Sequence, residues 1–204
     1  LMEGLAHIHI EMAYSSLMDQ RAIAHGDAAV QILTDLGHHR YLQHALTNSG
    51  LTAMYLGRWD DAIERYQRAI EGYERYGHAL GGATAVANVG FLRFRQGRLE
   101  EADELGRRAI RVYETAGMPH NAATPRLLRA HVAASEGRFA DAAALVADAR
   151  AAFVAVDRRS MVLDCDVSTM EHLVLAGRYA EAATAGAALT DLLDLEDTAP
   201  VDLS

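Results

Sequence analysis

The dipeptide Gly-Arg recurs along this chain, and the regularity of its spacing constrains the fold more than any other feature. Its four copies begin 40 residues apart, at Gly57, Gly97, Gly137 and Gly177. An aromatic residue or a leucine follows each pair, and an alanine lies five residues after each glycine. Because self-similarity at a period of about 20 to 50 residues is the signature of a repeat architecture, the sequence predicts stacked copies of one structural unit.

Two segments of helical character lie within each period. In the segment 59–76 the apolar residues fall three or four positions apart and charged residues occupy the other side, as in an amphipathic helix. The segment 78–95 behaves likewise, and glycines at 37, 77 and 117 are placed to end helices. Asp61, Glu101, Asp141 and Glu181 put a carboxylate in the first turn after each Gly-Arg pair, where the positive helix end favours it. Each unit of 40 residues is therefore predicted to be a helical hairpin.

Such a hairpin cannot bury its apolar face alone, so the units are expected to stack. Alanines seven residues apart mark the stacking stripe, because that spacing returns them to one side of a helix and allows close approach. They are Ala62 and Ala69, Ala102 and Ala109, and Ala142 and Ala149. A fifth, degenerate unit occupies the N-terminus, where Leu17 and Met18 replace Gly-Arg. The sequence thus predicts an all-α fold of about five antiparallel hairpins, with ten helices.

This pattern resembles the tetratricopeptide repeat (TPR), and the resemblance covers the whole chain. It is closest in Asn48-Ser49-Gly50 with Tyr55-Leu56-Gly57-Arg58-Trp59-Asp60-Asp61-Ala62, followed by Tyr66 and Ala69. The unit has 40 residues rather than about 34, and the proline usual near its end is missing. The resemblance implies a right-handed α-α superhelix and a protein-binding or peptide-binding role. The longer unit looks like the arrays of large bacterial signalling and transcriptional regulators, which accompany a nucleotide-binding switch, a cyclase or a DNA-binding domain.

We therefore expect one TPR-like domain over residues 1–204, forming part of a longer protein. Its predicted units are approximately 1–37, 38–77, 78–117, 118–157 and 158–197. The leading hypothesis for its function is a non-catalytic scaffold, the sensor or interaction arm of a bacterial regulator. The alternative is an oligomerisation element of a larger transcription regulator, STAND-type ATPase or nucleotide cyclase.

The resemblance also implies where a partner would bind, because the first helix of each hairpin lines the concave face. The candidate groove residues are His44, Thr47, Asn48, Leu51, Tyr55, Thr84, Asn88, Phe91, Arg95, Leu127 and His131, with Asp164 and Glu171 at the end of the series. Within each helix they are three or four residues apart and share one face. Exposed apolar side chains beside asparagine suit a peptide or a helix. Alternatively, Leu51 and Phe91 pack between hairpins.

Charge and composition argue against other classes of function. The net charge of −9 disfavours direct nucleic-acid binding, which depends on clustered basic residues. All 19 basic residues are arginine, which suggests the codon bias of a GC-rich bacterial genome. No apolar run approaches a membrane span and no signal peptide is recognisable, so we predict a cytoplasmic protein that does not bind membranes.

Catalytic and metal sites are not predicted either. The ten histidines show no ligand spacing with a third ligand nearby, and there is no phosphate loop or nucleophile motif. We therefore expect no metal, no cofactor and no enzymatic activity. Cys165 lies between Asp164 and Asp166, which favours an inert thiol.

The array has two expected irregularities. Pro125 would lie inside the first helix of the fourth hairpin, so that helix is predicted to start there, with Thr124 as N-cap and 118–123 as a turn or short helical piece. This predicts a local offset that opens the groove next to His131. At the ends, residues 1–18 carry only two acidic residues among many apolar ones, and 179–195 is rich in leucine. The end helices are therefore predicted to be buried in a homodimer or by the rest of a longer protein.

Overall fold

The computed structural model describes residues 1–197, with side chains described through residue 190, and this part of the chain contains ten α-helices and one short 3₁₀ helix. In chain order the α-helices are α1 (Met2–Ser16), α2 (Arg21–Asp35), α3 (His39–Tyr55), α4 (Trp59–Arg75), α5 (Ala79–Arg95), α6 (Leu99–Thr115), α7 (Ala123–Ser135), α8 (Phe139–Ala155), α9 (Arg159–Leu175) and α10 (Tyr179–Asp197). The helices pack in consecutive pairs, α1 with α2 through α9 with α10. The predicted all-α fold of five helical hairpins is confirmed.

The Gly-Arg pair forms the turn inside each hairpin. Each of its glycines has φ between 72° and 76°, in the left-handed region that glycine adopts without strain. The arginine that follows pairs with a carboxylate three residues later, in the first turn of the next helix. These pairs are Arg58–Asp61, Arg98–Glu101, Arg138–Asp141 and Arg178–Glu181. The recurring carboxylate is thus held by arginine as well as favoured by the helix dipole.

Alanines make the close contacts between helices, as their spacing predicts. All six alanines of the predicted stripe have no exposed surface. Gly50 on α3 also allows close approach, because a Cβ at this position would lie 2.8 Å from the ring of Tyr66 on α4. Tyr66 is fully buried, so the α3–α4 contact is closed around an aromatic ring.

The chain divides into two compact units, the first Leu1–Ala116 and the second beginning at Gly117. The first unit contains α1 to α6 and a core cluster with Leu33, Leu46, Tyr66 and Leu92. The second contains the 3₁₀ helix and α7 to α10, with a cluster around Val146. A single domain over 1–204 remains a prediction.

The fourth hairpin contains the predicted short helical piece before its first helix, but that helix begins at a different residue from the one predicted. A separate 3₁₀ helix, Pro119–Ala122, precedes α7, which begins at Ala123 rather than at Pro125. Thr124 is therefore inside the first turn and is not the N-cap, and no side chain caps this helix start. Pro125 is the third helical residue, where its missing N–H would have no partner within the helix in any case.

The side chains of α1 are described throughout, whereas those of α10 are described only in part. On α1 and the turn after it, Met2, Ile10, Met12, Leu17 and Met18 are exposed, as the apolar sequence predicts for an uncovered end. On α10, Leu189 is buried, and the side chains of Leu192, Leu193 and Leu195 lie outside the described residues.

The prediction for Cys165 is confirmed. Its thiol is fully buried, and its pKa is raised to about 11, first by burial and then by the neighbouring carboxylates of Asp166 and Asp164. A thiol with so high a pKa is protonated near neutral pH and is a poor nucleophile.

Candidate functional site

Nine of the predicted groove residues lie on two neighbouring helices of the first unit. We call this surface the α3–α5 face, and its residues are His44, Thr47, Asn48, Leu51, Tyr55, Thr84, Asn88, Phe91 and Arg95. α3 and α5 are in contact with each other, and each also packs on α4. The spacing of three and four residues keeps each helix's members on one side of that helix.

The burial of equivalent positions is the same on the two helices. His44 and Thr84 are both exposed, and so are Tyr55 and Arg95 at the other end of the face. Asn48 and Asn88 are half-buried, as are Leu51 and Phe91. Leu51 and Phe91 are thus partly covered within the protein and partly accessible. Their role in a groove stays a prediction.

The ring of Tyr66 lies beneath the middle of this face. It packs against Gly50 from below, and its phenol interacts with the side chain of Asn88. Burial and, to a smaller extent, Tyr55 raise the pKa of this phenol, while Asn88 opposes the shift. Tyr66 stays neutral, and its phenol lies next to Asn88 on the core side of the face.

The polar groups of the face differ in how they are engaged. The hydroxyl of Thr47 donates to the carbonyl of Gln43 at 2.9 Å, and Thr84 Oγ1 lies 2.7 Å from the hydroxyl of Tyr113. These threonines are therefore occupied within the protein. The Nδ2 atom of Asn48 has no hydrogen-bond partner among the described residues. A buried donor without an acceptor is unfavourable, and a partner satisfies it only by displacing the groups that cover this atom.

A cavity adjoins the α3–α5 face at His44. It has a volume of about 600 Å³, and its lining includes Arg40, Tyr41, Tyr73, His78 and Leu80. No carboxylate lines it, and Arg40 makes no ion pair among the described residues. Burial, and then His9, lower the pKa of His44, so this imidazole is neutral at pH 7 and the charge of the cavity comes from Arg40.

This cavity was not predicted from the sequence, although a signal for it was present. Arg40 precedes His44 by one helical turn, and Leu80 holds the equivalent position before Thr84. Extending the predicted stripe by one turn towards the helix N-termini would have found both residues.

Of the two predicted groove residues in the second unit, one is too deeply buried to line a groove. Leu127 is only 5% exposed and belongs to the core cluster with Val146 and Phe153, so it offers almost no surface to a partner. It is buried because it lies on the side of α7 that packs against Val146 and Phe153 of α8.

His131, in contrast, is half-buried and paired with another histidine. Its Nδ1 atom lies 3.2 Å from Nε2 of His172, whose pKa is lowered to about 4 by burial and by His131, with Glu171 opposing. His172 is therefore neutral at pH 7. Because Nδ1 of His172 is buried without a partner, we infer that this atom is unprotonated and that Nε2–H donates to His131. Asp164 and Glu171, at the end of the predicted series, are exposed.

A second unexpected feature is a buried carboxyl group at the start of the chain. Glu11 on α1 has no exposed surface, and neither carboxylate oxygen has a hydrogen-bond partner among the described residues. Burial raises its pKa to about 7, while the hydroxyls of Thr52 and Ser49 and the charge of Arg65 oppose the shift and Asp27 adds to it. Arg65 itself is held by Asp27 at 2.6 Å and by Ser49 at 2.5 Å.

The described residues include neither a membrane-spanning helix nor a metal-binding group of side chains. No helix there is long and apolar enough to cross a membrane. In the same part of the chain, no three histidine, cysteine, aspartate or glutamate side chains are grouped so that they could hold a metal ion.

Comparison with known proteins identifies the repeat. Residues 41–115, which include α4, α5, α6 and most of α3, match the family model of the tetratricopeptide repeat. No curated protein matches the sequence significantly.

Solved structures share the fold at low sequence identity. The TPR-like repeats of a kinesin-light-chain-type protein from Podosopora anserina superpose with a TM-score of 0.70 and 12% identity, over 95% of this chain and 96% of that one. Aspartyl phosphate phosphatase F from Bacillus subtilis gives a TM-score of 0.80 and 16% identity over 96% of this chain, which spans only 50% of the phosphatase. BtubC from P. vanneervenii gives 0.63 and 11%, over 98% of this chain and 95% of that one. At these identities the likeness concerns the fold alone.

Proposed function

We propose that the chain, whose residues 41–115 match the tetratricopeptide-repeat family model, is a non-catalytic scaffold that binds a peptide segment of a protein partner along the α3–α5 face. A protein-interaction scaffold is the role that the TPR-like fold supports. Residues on the face contact the partner, and none of them takes part in a reaction.

The observation that carries this proposal is the matched burial of the two helices. Four pairs of positions 40 residues apart share the same burial, with exposed residues at both ends and half-buried residues between them. A surface that only fills space between hairpins has no need of an exposed tyrosine at one end, yet Tyr55 is 54% exposed. The repetition gives an extended partner equivalent contacts at successive positions.

The chemistry of the face suits a peptide. The amides of Asn48 and Asn88 can pair with backbone N–H and C=O groups, and Leu51 and Phe91 supply apolar area that is still accessible. The cavity beside His44 has room for one large side chain of the partner. With Arg40 as its charged group, it favours a side chain that is acidic or that accepts hydrogen bonds.

Peptides selected from a random display library on the full chain provide the test. Phe91→Ala is expected to weaken their binding by about 1 to 3 kcal/mol, measured by titration calorimetry, because a partly buried aromatic is a typical anchor. Tyr179→Ala is the matched control, since Tyr179 is also an aromatic with accessible surface but lies on α10, which contributes no residue to the face. Equal affinity of the two variants, with unchanged circular dichroism, would remove the α3–α5 face as the binding site.

We further place this scaffold in a cytoplasmic regulatory protein of a bacterium, as its sensor or interaction arm in signalling or transcription. The absence of lysine and the fold shared with a Bacillus subtilis aspartyl phosphate phosphatase support this placement. The full reading frame of the gene tests it. A flanking switch, cyclase or DNA-binding domain is the expected result, and a frame that encodes only a secreted repeat array would contradict it.

A second candidate function is assembly of a larger protein through the ends of the array, including a homodimer through the apolar end helices. The exposed apolar residues of α1 favour it, because large apolar side chains in contiguous exposure mark association surfaces. The two functions use different surfaces of the chain and are compatible.

A further inference from the structure

The helix α1 differs from an ordinary surface helix because it buries a charged residue and exposes large apolar ones. Its buried residues are Gly4, Ile8 and Glu11, so its inner side contains a carboxyl group. Its outer side contains Met2, which is 78% exposed, and Ile10, which is 40% exposed. A helix normally turns apolar side chains to the core and charged ones to water. The outer side of α1 therefore has the composition of a covered surface.

Four exposed apolar residues of α1, together with the residue that follows the helix, form one straight stripe, whereas Met12 lies outside it. It consists of Met2, Ala6, Ile10, Ala13 and Leu17, all of which are exposed. At about 100° per residue these five positions fall within an arc of about 80°, and Glu11 lies on the opposite side of the helix. We call this surface the α1 stripe.

Four of the five residues of the α1 stripe, all but Ile10, are arranged symmetrically about a midpoint between His9 and Ile10. Two helices that meet antiparallel across a two-fold axis there would place Met2 opposite Leu17 of the partner subunit. Ala6 would then lie opposite Ala13 of the partner subunit, where two small side chains allow close approach. Ile10 would lie opposite His9 of the partner subunit. Large apolar side chains thus meet at the ends and small ones between them, which is the self-complementarity that a two-fold interface requires.

The distribution of acidic residues also favours a second copy of the chain as the partner of the α1 stripe. The chain carries a net charge of −9, so two copies repel each other in general. α1 has only two acidic residues, and Glu11 is buried. The other, Glu3, would lie opposite Ser16 of the partner subunit in this register, so that no two carboxylates meet. The α1 stripe is thus a surface on which a second copy of this acidic chain can dock without like charges in contact.

We propose that the chain forms an antiparallel homodimer through the α1 stripe. This inference rests on the assembly role and specifies its interface, and it is independent of peptide binding at the α3–α5 face. A helix of 15 residues is about 22 Å long, so the contact belongs to the class of small interfaces, which are weak and reversible. Dimerisation is therefore concentration-dependent.

Sedimentation velocity of the full chain, from the low micromolar to the submillimolar range, tests the proposal with a matched pair of variants. Ile10→Arg places a charge at the centre of the α1 stripe and should weaken dimerisation roughly tenfold or more. Met12→Arg makes the same change on the same helix, about 160° around it from Ile10, at a residue that is 52% exposed. It should dimerise like the unmodified chain. Both sites are exposed, so thermal unfolding should be similar for the two variants.

The register is tested by a charge pair. Ala13→Arg alone should weaken the dimer, and adding Ala6→Glu should restore it, because the two positions face each other only in the antiparallel arrangement. Within one helix they lie two turns apart and interact little. A double variant no better than Ala13→Arg would overturn the antiparallel register.

The remaining outcomes separate this inference from the functions proposed above. A chain that stays monomeric at every concentration overturns both the dimer and self-assembly as a role of α1. A dimer equally strong in the Ile10→Arg and Met12→Arg variants keeps the assembly role but overturns the α1 stripe as its interface. Peptide binding by the Ile10→Arg variant reports on the α3–α5 face separately from either result.

Discussion

The first two hairpins use the same packing device to enclose opposite kinds of side chain. In the second hairpin, Gly50 on α3 makes room for the ring of Tyr66 on α4. In the first, Gly26 on α2 makes room for Glu11 on α1, since a Cβ at Gly26 would lie 2.5 Å from Oε1 of Glu11. One contact is thus closed around an aromatic ring and the other around a carboxyl group. The stability of the inner hairpin should therefore be insensitive to pH, whereas that of the end hairpin should depend on it.

The largest expected effect is on the aromatic contact. Tyr66→Ala should lower the free energy of unfolding by about 3 to 5 kcal/mol, measured by urea denaturation, because it leaves a ring-sized cavity in the first unit. Tyr66→Phe is the control that keeps the ring, and it should cost about 1 kcal/mol or less, since it removes a buried hydroxyl that has no hydrogen-bond partner among the described residues. A small effect of Tyr66→Ala would show that the α3–α4 contact does not depend on the ring.

The contrast between these two hairpins also shows which parts of the fold the sequence could predict. Helix ends and hairpin turns follow from local features, such as the glycines with positive φ and the arginine that pairs with a carboxylate three residues later. The alanines of the stacking stripe were likewise predictable, since only small residues fit at that spacing. These features need no knowledge of distant parts of the chain.

The parts that could not be predicted depend on contacts between helices. Nothing in the pattern of α1 shows that Glu11 is turned inward, because that orientation is set by Gly26 on α2 and by Ser49 and Thr52 on α3. The burial of Leu127 depends on its packing against Val146 and Phe153 of α8. Of the candidate site, the α3–α5 residues follow from periodicity, whereas the cavity with Arg40 requires three helices to be placed together.

The second effect concerns the pH dependence of the end hairpin. The pKa of Glu11 is raised from 4.5 to about 7 in the folded chain, which corresponds to roughly 3 kcal/mol. The folded state binds this proton more tightly than the unfolded state. The stabilisation contributed by protonated Glu11 is therefore fully present below pH 4.5 and is lost as the pH rises to about 7.

Glu11→Gln removes this contribution and isolates it. Arg65 and Asp27, the charged groups that face Glu11, remain bridged to each other in the variant. The difference in unfolding free energy between the variant and the unmodified chain should grow in favour of the variant from pH 4.5 to about 7 and then stay constant. A difference that is the same at every pH would show that Glu11 ionises in the folded chain as it does in water.

The smallest effect compares the two glycines directly. Gly50→Ala forces a methyl group against the ring of Tyr66, which is rigid and fully buried, and overpacking of this kind costs about 1 to 3 kcal/mol. Gly26→Ala meets the ends of the Glu11 and Ser49 side chains instead. These can rotate, and the gain in helix propensity of about 1 kcal/mol offsets part of the strain. Gly26→Ala should therefore destabilise the chain less than Gly50→Ala in urea denaturation. The opposite order would mean that the carboxyl group of Glu11 is held as firmly as the ring of Tyr66, and the two contacts would then differ only in their response to pH.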